Sequence, residues 1–273
     1  MDLLKVDHLS VDFVQGSKPF HAVRDVSLSI KKGETLALVG ESGSGKSLTA
    51  RAIMGLLPAP HVRVGSGVID FGGEDLTKVD YERLRNIRGS EISMIFQEPM
   101  TALNPVMTIG DQIDEIFRFH VSMPSEERQK RALGLLEDVN LPDPSRIMAA
   151  YPHELSGGQR QRSMIAMALA LGPKILIADE PTTALDVTIQ AQIIDLVKKL
   201  RREIGMSVIW ITHDLGIVAG LADRVAVMYA GKIVEFAPVD ELFKNPQHPY
   251  SKGLLNSLPR LDTRSEEPLE AIE

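Results

Sequence analysis

Cysteine is absent from this 273-residue chain. That excludes disulfides, thiolate-bound zinc, cysteine-ligated iron–sulfur clusters and a cysteine nucleophile. Also absent is any apolar run approaching the roughly 18 residues that a membrane-spanning helix needs. The most apolar stretches, Ser163–Gly172 and Ile175–Ala178, are short and parted by Pro173 and Lys174. The opening MDLLKVDHLSVDF places Asp2, Lys5 and Asp7 where a secretory leader needs apolar residues, so it does not read as one. A surplus of positive charge is missing too. Thirty Lys and Arg stand against 37 Asp and Glu, a net charge of −7. A general nucleic-acid binder carries a strongly basic domain or face, so no nucleic-acid partner is expected. Arg83, Arg85 and Arg88 form one basic cluster and Lys198, Lys199, Arg201 and Arg202 another; both read as solvated faces. No two of the seven histidines have the close spacing of a zinc motif.

What is present is the makeup of a soluble globular protein, 44% hydrophobic and 25% charged. Leu3–Phe13 and Val23–Ile30 read as strands, and Thr35–Val39 as a strand buried on both faces. A helix is expected from Lys46 to Leu57, stopped by Pro58. From about Pro99 to Pro152 the pattern turns helical, with helices over Thr108–Val121 and Ser125–Val139, the second presenting Leu133, Leu136 and Val139. Strands and helices then alternate: helix Gly157–Leu171, strand Ile175–Ala178, helix Val187–Glu203, strand Ser207–Thr212, helix Leu215–Leu221, strand Arg224–Tyr229. The expected class is α/β with a mostly parallel sheet. The last ten or so residues, acidic after a proline-rich stretch, are expected to be disordered.

Gly40-Glu41-Ser42-Gly43-Ser44-Gly45-Lys46-Ser47 matches G-x-x-x-x-G-K-[ST] between a buried strand and a helix. A triphosphate concentrates negative charge. Backbone N–H groups that a glycine-rich loop can turn inward form a nest for it, and the helix N-terminus adds partial positive charge. Lys46 is expected on the β- and γ-phosphates and Ser47 on Mg²⁺. Ile175–Ala178 ends in two adjacent carboxylates, Asp179 and Glu180. Beside a phosphate loop they suit Mg²⁺ binding by Asp179 and general-base work by Glu180; alone they would equally read as a strand end and a helix-capping acid. Leu155-Ser156-Gly157-Gly158-Gln159 opens a helix and offers a second anion site.

Together with Gln97, the loop Ala184-Leu185-Asp186 and His213, these motifs resemble the ATP-binding subunit of an ABC transporter, in family order over about residues 3–245. The resemblance implies a P-loop NTPase (RecA-like) core, an antiparallel β N-terminal part and an inserted α-helical subdomain over about 99–160. It implies head-to-tail pairing of two subunits around two ATP molecules. Ser156, Gly157, Gly158 and Gln159 would then contact ATP held by the partner. Gln97 would meet Mg²⁺ and the attacking water, His213 would hold the γ-phosphate and orient Glu180, and Asp186 would lie at the dimer interface. Phe13 stands where the family stacks adenine, with Phe20 and His21 as rivals. Leu48, where Ser or Thr is frequent, still offers its backbone N–H to the α-phosphate.

Phe96–Pro105 and Asn245–Pro259 are similar to the peptide and nickel importer branch, and the runs 164–168 and 177–186 to the first of its two unequal ATPases. This implies a domain over 1–245 and a branch-specific extension over 246–273. The partners implied are a homologous second ATPase (a second copy being the alternative), two permease subunits and an extracytoplasmic solute-binding protein, with this chain on the cytoplasmic membrane face. Peptides lead as the solute, with nickel or another small solute as the alternative. A soluble ABC ATPase of repair or translation is disfavoured by the single cassette without a heptad run. Members of the branch that bind a [4Fe–4S] cluster use C-terminal cysteines, so no cluster is expected here.

Overall fold

The computed structural model describes residues 2–14, 19–183 and 185–257. Ala184 and the tail expected to be disordered lie outside them. The chain divides into two compact units: Met1–Val79 with Ile209–Glu273, and Asp80–Val208.

Unit one begins with β1 (Asp2–Phe13) and β2 (Phe20–Lys31), then β3 (Thr35–Val39), α1 (Lys46–Ile53), β4 (Val62–Phe71) and β5 (Glu74–Asp75). An antiparallel sheet runs in the order β2-β1-β4-β5. The inward residues Leu4, Val6, Leu9 and Val11 of β1 are all fully buried. A spacing of two would turn Leu9 and Val11 outward. A bulge between Val6 and Leu9 restores the phase, with His8 at φ 52°. On β2, Asp25 at φ 58° does the same between Val23 and Val26, and its carboxylate meets His8 Nδ1 at 2.6 Å. Helix α1 ends at Ile53, short of the expected Leu57, because the chain turns at Gly55 with φ 61° before Pro58 is reached.

Unit two holds α2 (Tyr81–Ile87), β6 (Ile92–Ile95), α3 (Pro99–Ala102), α4 (Ile109–His120), α5 (Ser125–Asp138) and α6 (Pro144–Ala149). A 3-10 turn (Pro152–Glu154), α7 (Gly157–Leu169), β7 (Ile175–Asp179) and α8 (Val187–Ile204) complete it. Strands β6 and β7 pair in parallel. The helical core is built at i, i+4 spacing: Ile109, Ile113 and Phe117 of α4 face Ala132 and Leu136 of α5, and Arg128 ties the two helices through Asp114 at 2.6 Å. Leu133, expected on that face, is half-buried; Ala132 takes its place. The arginine cluster is partly engaged: Arg83 pairs with Glu91 at 3.0 Å and Arg85 lies 4.6 Å over the Phe119 ring.

Strand β8 (Ser207–Thr212) runs across the unit boundary. Unit one then resumes with α9 (Leu215–Val218), β9 (Arg224–Tyr229), β10 (Lys232–Pro238), α10 (Val239–Lys244) and α11 (Pro249–Asn256). Strand β9 lies parallel to β3 and antiparallel to β10, and its hairpin turns through Ala230 (φ 45°) and Gly231 (φ 81°). Ala37 and Val39 of β3 and Val225 and Val227 of β9 share one core with Leu215, Leu242 and Tyr250. The C-terminal helices therefore cover the strand that leads into the glycine-rich loop.

One ion pair pins the start of β9. Arg224 Nη2 donates to Glu34 at 3.0 Å and to the Ser29 carbonyl at 2.8 Å. Burial alone would push the Glu34 carboxyl up, yet Arg224 and the Lys31 N–H hold it below the usual carboxylate range. Arg224→Met leaves that carboxylate buried without its cation and should cost about 2–4 kcal/mol in urea unfolding at neutral pH. Because the folded-state value is lowered, this stabilisation is present above the ordinary carboxylate range and drains away as pH falls through the lowered value. Glu34→Gln should flatten that part of the acid limb.

Candidate nucleotide site

The loop Gly40–Ser47 joins β3, whose five residues are all buried, to α1. At Gly40, with φ 153°, a Cβ would stand 2.1 Å from the Met228 carbonyl oxygen, so no side chain fits. Helix α1 is preceded at its cap position by Gly45, which offers no side chain to cap the first-turn N–H groups, and its first turn holds no acid. Such a start suits an anion. Lys46 is buried at 4% exposure, and its Nζ donates to the carbonyls of Gly40 and Glu41 at 2.8 Å each. The ammonium is thus stored inside the loop it would share with phosphates. Ser47 and Leu48 are half-buried in the first turn, while Glu41, Ser42 and Gly43 are exposed at the loop's crest. The Gly231 N–H holds the loop from outside, donating to the Ser44 carbonyl at 3.0 Å.

Unit one also carries the candidate adenine stackers. Phe13 is half-buried, with the exposed Phe20 ring 6.5 Å away. His21 is held by the Asp12 carboxylate at 2.6 Å and lines a separate cavity of about 380 Å³ with Arg24 and Lys232. That bond lies in the plane of the imidazole, so all three rings keep a π-face for stacking. His213 follows β8 and is exposed.

Unit two brings two of the candidate hydrolytic residues, Gln97 and Glu180, together. Asp179 ends β7 and is 2% exposed. Glu180 follows in the left-handed region at φ 45°, a conformation that costs energy for a side-chain-bearing residue and clusters at functional sites. Its Oε2 accepts from Gln97 Nε2 at 3.1 Å and from Thr183 Oγ1 at 3.0 Å. Thr183 was not among the residues expected here; its place in the Pro-Thr-Thr turn after Glu180 was the available signal. Ser156 caps α7 by accepting the Gln159 N–H at 3.3 Å, and Gln159 returns a bond to the Ser156 N–H at 3.0 Å. Asp186 caps α8 through the Ile189 N–H at 2.9 Å, and a methyl on Gly158 would stand 3.3 Å from Ile189. The Ser156–Gln159 and Asp186 helix starts are therefore neighbours, both exposed at their tips.

The family profile described as ABC transporter matches residues 23–183, and that for the oligopeptide/dipeptide transporter C-terminal region matches residues 234–273. The chain belongs to the ABC transporter family. It is an ATPase of that family, on a P-loop fold in which an antiparallel sheet and a helical insertion accompany a parallel-rich sheet. It is 55% identical over 270 residues to the oligopeptide transport ATP-binding protein OppD of Bacillus subtilis (strain 168), covering 99% of this chain and 75% of that one. It is 54% identical over 265 residues to the dipeptide transport ATP-binding protein DppD of the same organism, covering 97% and 79%. A dimeric post-hydrolysis structure of the ATP-binding cassette MJ0796 bound to ADP and Pi matches with a TM-score of 0.77 and 32% identity, over 86% of this chain and 98% of that one. Among the described residues, no helix is long and apolar enough to cross a membrane.

Gly40→Ala tests the loop directly. The added methyl meets a backbone carbonyl, so the variant should lose most ATP binding in calorimetric titration, and its thermal midpoint should fall by several degrees as the β3–β9 pairing yields.

Proposed function

We propose that this ABC ATPase energises the import of di- or oligopeptides from the cytoplasmic face of a membrane. The match of residues 234–273 to the oligopeptide/dipeptide transporter C-terminal region carries this reading, and the identity to OppD and DppD supports it. The chain would pair with a homologous second ATPase in preference to a second copy, dock on two permease subunits through its inserted helical subdomain, and respond to an extracytoplasmic peptide-binding protein. In this reading the domain boundaries are 1–245 for the ATPase and 246–273 for the extension.

The donor set fits Mg–ATP. The uncapped helix start, the buried Lys46 ammonium and the Ser47 hydroxyl suit phosphates, and the buried Asp179 carboxylate with Gln97 suits a hard cation. Mg²⁺, when bound, neutralises developing phosphate charge. Lys46 leaves the Gly40 and Glu41 carbonyls for the β- and γ-phosphates. Phe13 stacks on adenine. Glu180 takes a proton from the attacking water, with Gln97 and Thr183 holding the carboxylate and His213 orienting it in the assembled site. Ser156, Gly157, Gly158 and Gln159 offer a helix N-terminus to nucleotide on the partner, beside Asp186 at the interface. Closure on ATP and reopening after hydrolysis would move the permeases.

Glu180→Gln should retain Mg–ATP binding while turnover in the assembled complex falls roughly a hundredfold or more. Near-normal turnover, with the partner's site blocked, would remove Glu180 as the base. Mild detergent extraction of the tagged chain should bring down two permeases and a second ATPase; recovery of RNA or DNA in their place would count against the transport reading.

A further inference from the structure

The C-terminal element reaches the phosphate loop. Tyr250 of α11 is buried, and its phenolic oxygen accepts the backbone N–H of Glu41 at 3.0 Å. Three contacts fix that phenol. Its ring lies 4.5 Å from the Tyr229 ring, centroid to centroid. Its own N–H donates to His248 Nδ1 at 3.1 Å. The start of α11 is anchored by the Glu235 carboxylate on β10, which accepts the N–H groups of Gln247 at 2.8 Å and His248 at 3.0 Å. The phenol is therefore presented by a built scaffold.

The consequence follows from peptide geometry. A trans peptide is a rigid plane whose N–H and C=O point in opposite directions. The Glu41 N–H and the Gly40 carbonyl belong to one such plane, and that carbonyl is the seat of Lys46 Nζ at 2.8 Å. Gly40, lacking a side chain, cannot restrain the plane itself. Tyr250 holds one edge and thereby sets the edge that Lys46 occupies. We propose that Tyr250 is a positioning residue for ATP: through the Gly40–Glu41 peptide it orients the phosphate loop and Lys46, so that the C-terminal element sets nucleotide affinity. The proposal rests on the reading of Gly40–Ser47 as the ATP phosphate site.

The test is Mg–ATP titration of the full chain by calorimetry, beside thermal unfolding without nucleotide. Tyr250→Phe removes only the hydroxyl and keeps the ring packing. Its Kd for Mg–ATP should rise roughly three- to tenfold, as expected for one lost hydrogen bond, while the unfolding midpoint without nucleotide changes little. In a Lys46→Ala background the same substitution should add little, because both act through one link. Glu235→Ala, which loosens the start of α11 without touching the loop, should raise Kd in the same direction and carries the test if Tyr250→Phe does not fold. Unchanged Kd in both folded variants, or a lower midpoint with unchanged Kd, would overturn the proposal and leave ATP binding by the loop standing. Failure of the wild-type chain to bind Mg–ATP would overturn the underlying reading as well.

Discussion

A lysine ammonium buried against two backbone carbonyls is the arrangement on which the rest of the molecule depends. Taking a charge out of water is costly unless polar groups replace the water. In the loop, the Gly40 and Glu41 carbonyls do so for Lys46. Those carbonyls can face inward only because Gly40 has no side chain to strike Met228, and Met228 stands there because β9 lies beside β3. The hairpin turn at Gly231 and the phenol of Tyr250 hold the loop's outer edge. In the proposed site, phosphate oxygens would offer Lys46 opposite charge where the carbonyls offer only dipoles. In that reading, nucleotide binding would be a substitution within a preformed cradle.

Much of this was legible in the sequence where the physics is local. Thr35–Val39 announced itself by an unbroken apolar run, and the loop by its glycines and lysine at fixed spacing. Elements governed by distant partners were not. Strand β4, for which no expectation was drawn, contains Gly65 and Gly67; Gly67 is needed because a Cβ there would stand 2.6 Å from the backbone of Leu9. Strand β6 is four residues long, too short for periodicity to speak. The bulges at His8 and Asp25 shift the hydrophobic phase in a way only the paired strands reveal. At the site, the resemblance named Gln97 and Glu180, but their hydrogen bond across 83 positions of sequence came from the fold. The stretch around Tyr250 stood out as a branch signature, yet nothing in its spacing announced a contact with Glu41.

The absences take on a different sense beside the site. A net charge of −7 would oppose a polyanion if the whole-chain field governed binding. The loop answers with local backbone dipoles and one buried ammonium at close range, where distant surface charge is largely screened.

Peptide uptake tests the central claim most directly. Proteoliposomes would carry this chain with its second ATPase and permeases, with ATP supplied on the side of this chain and a labelled peptide with its binding protein on the other. The account predicts uptake that requires hydrolysable ATP, accompanied by peptide-stimulated phosphate release. Uptake without ATP, or hydrolysis in the complete complex that moves no peptide, would contradict it.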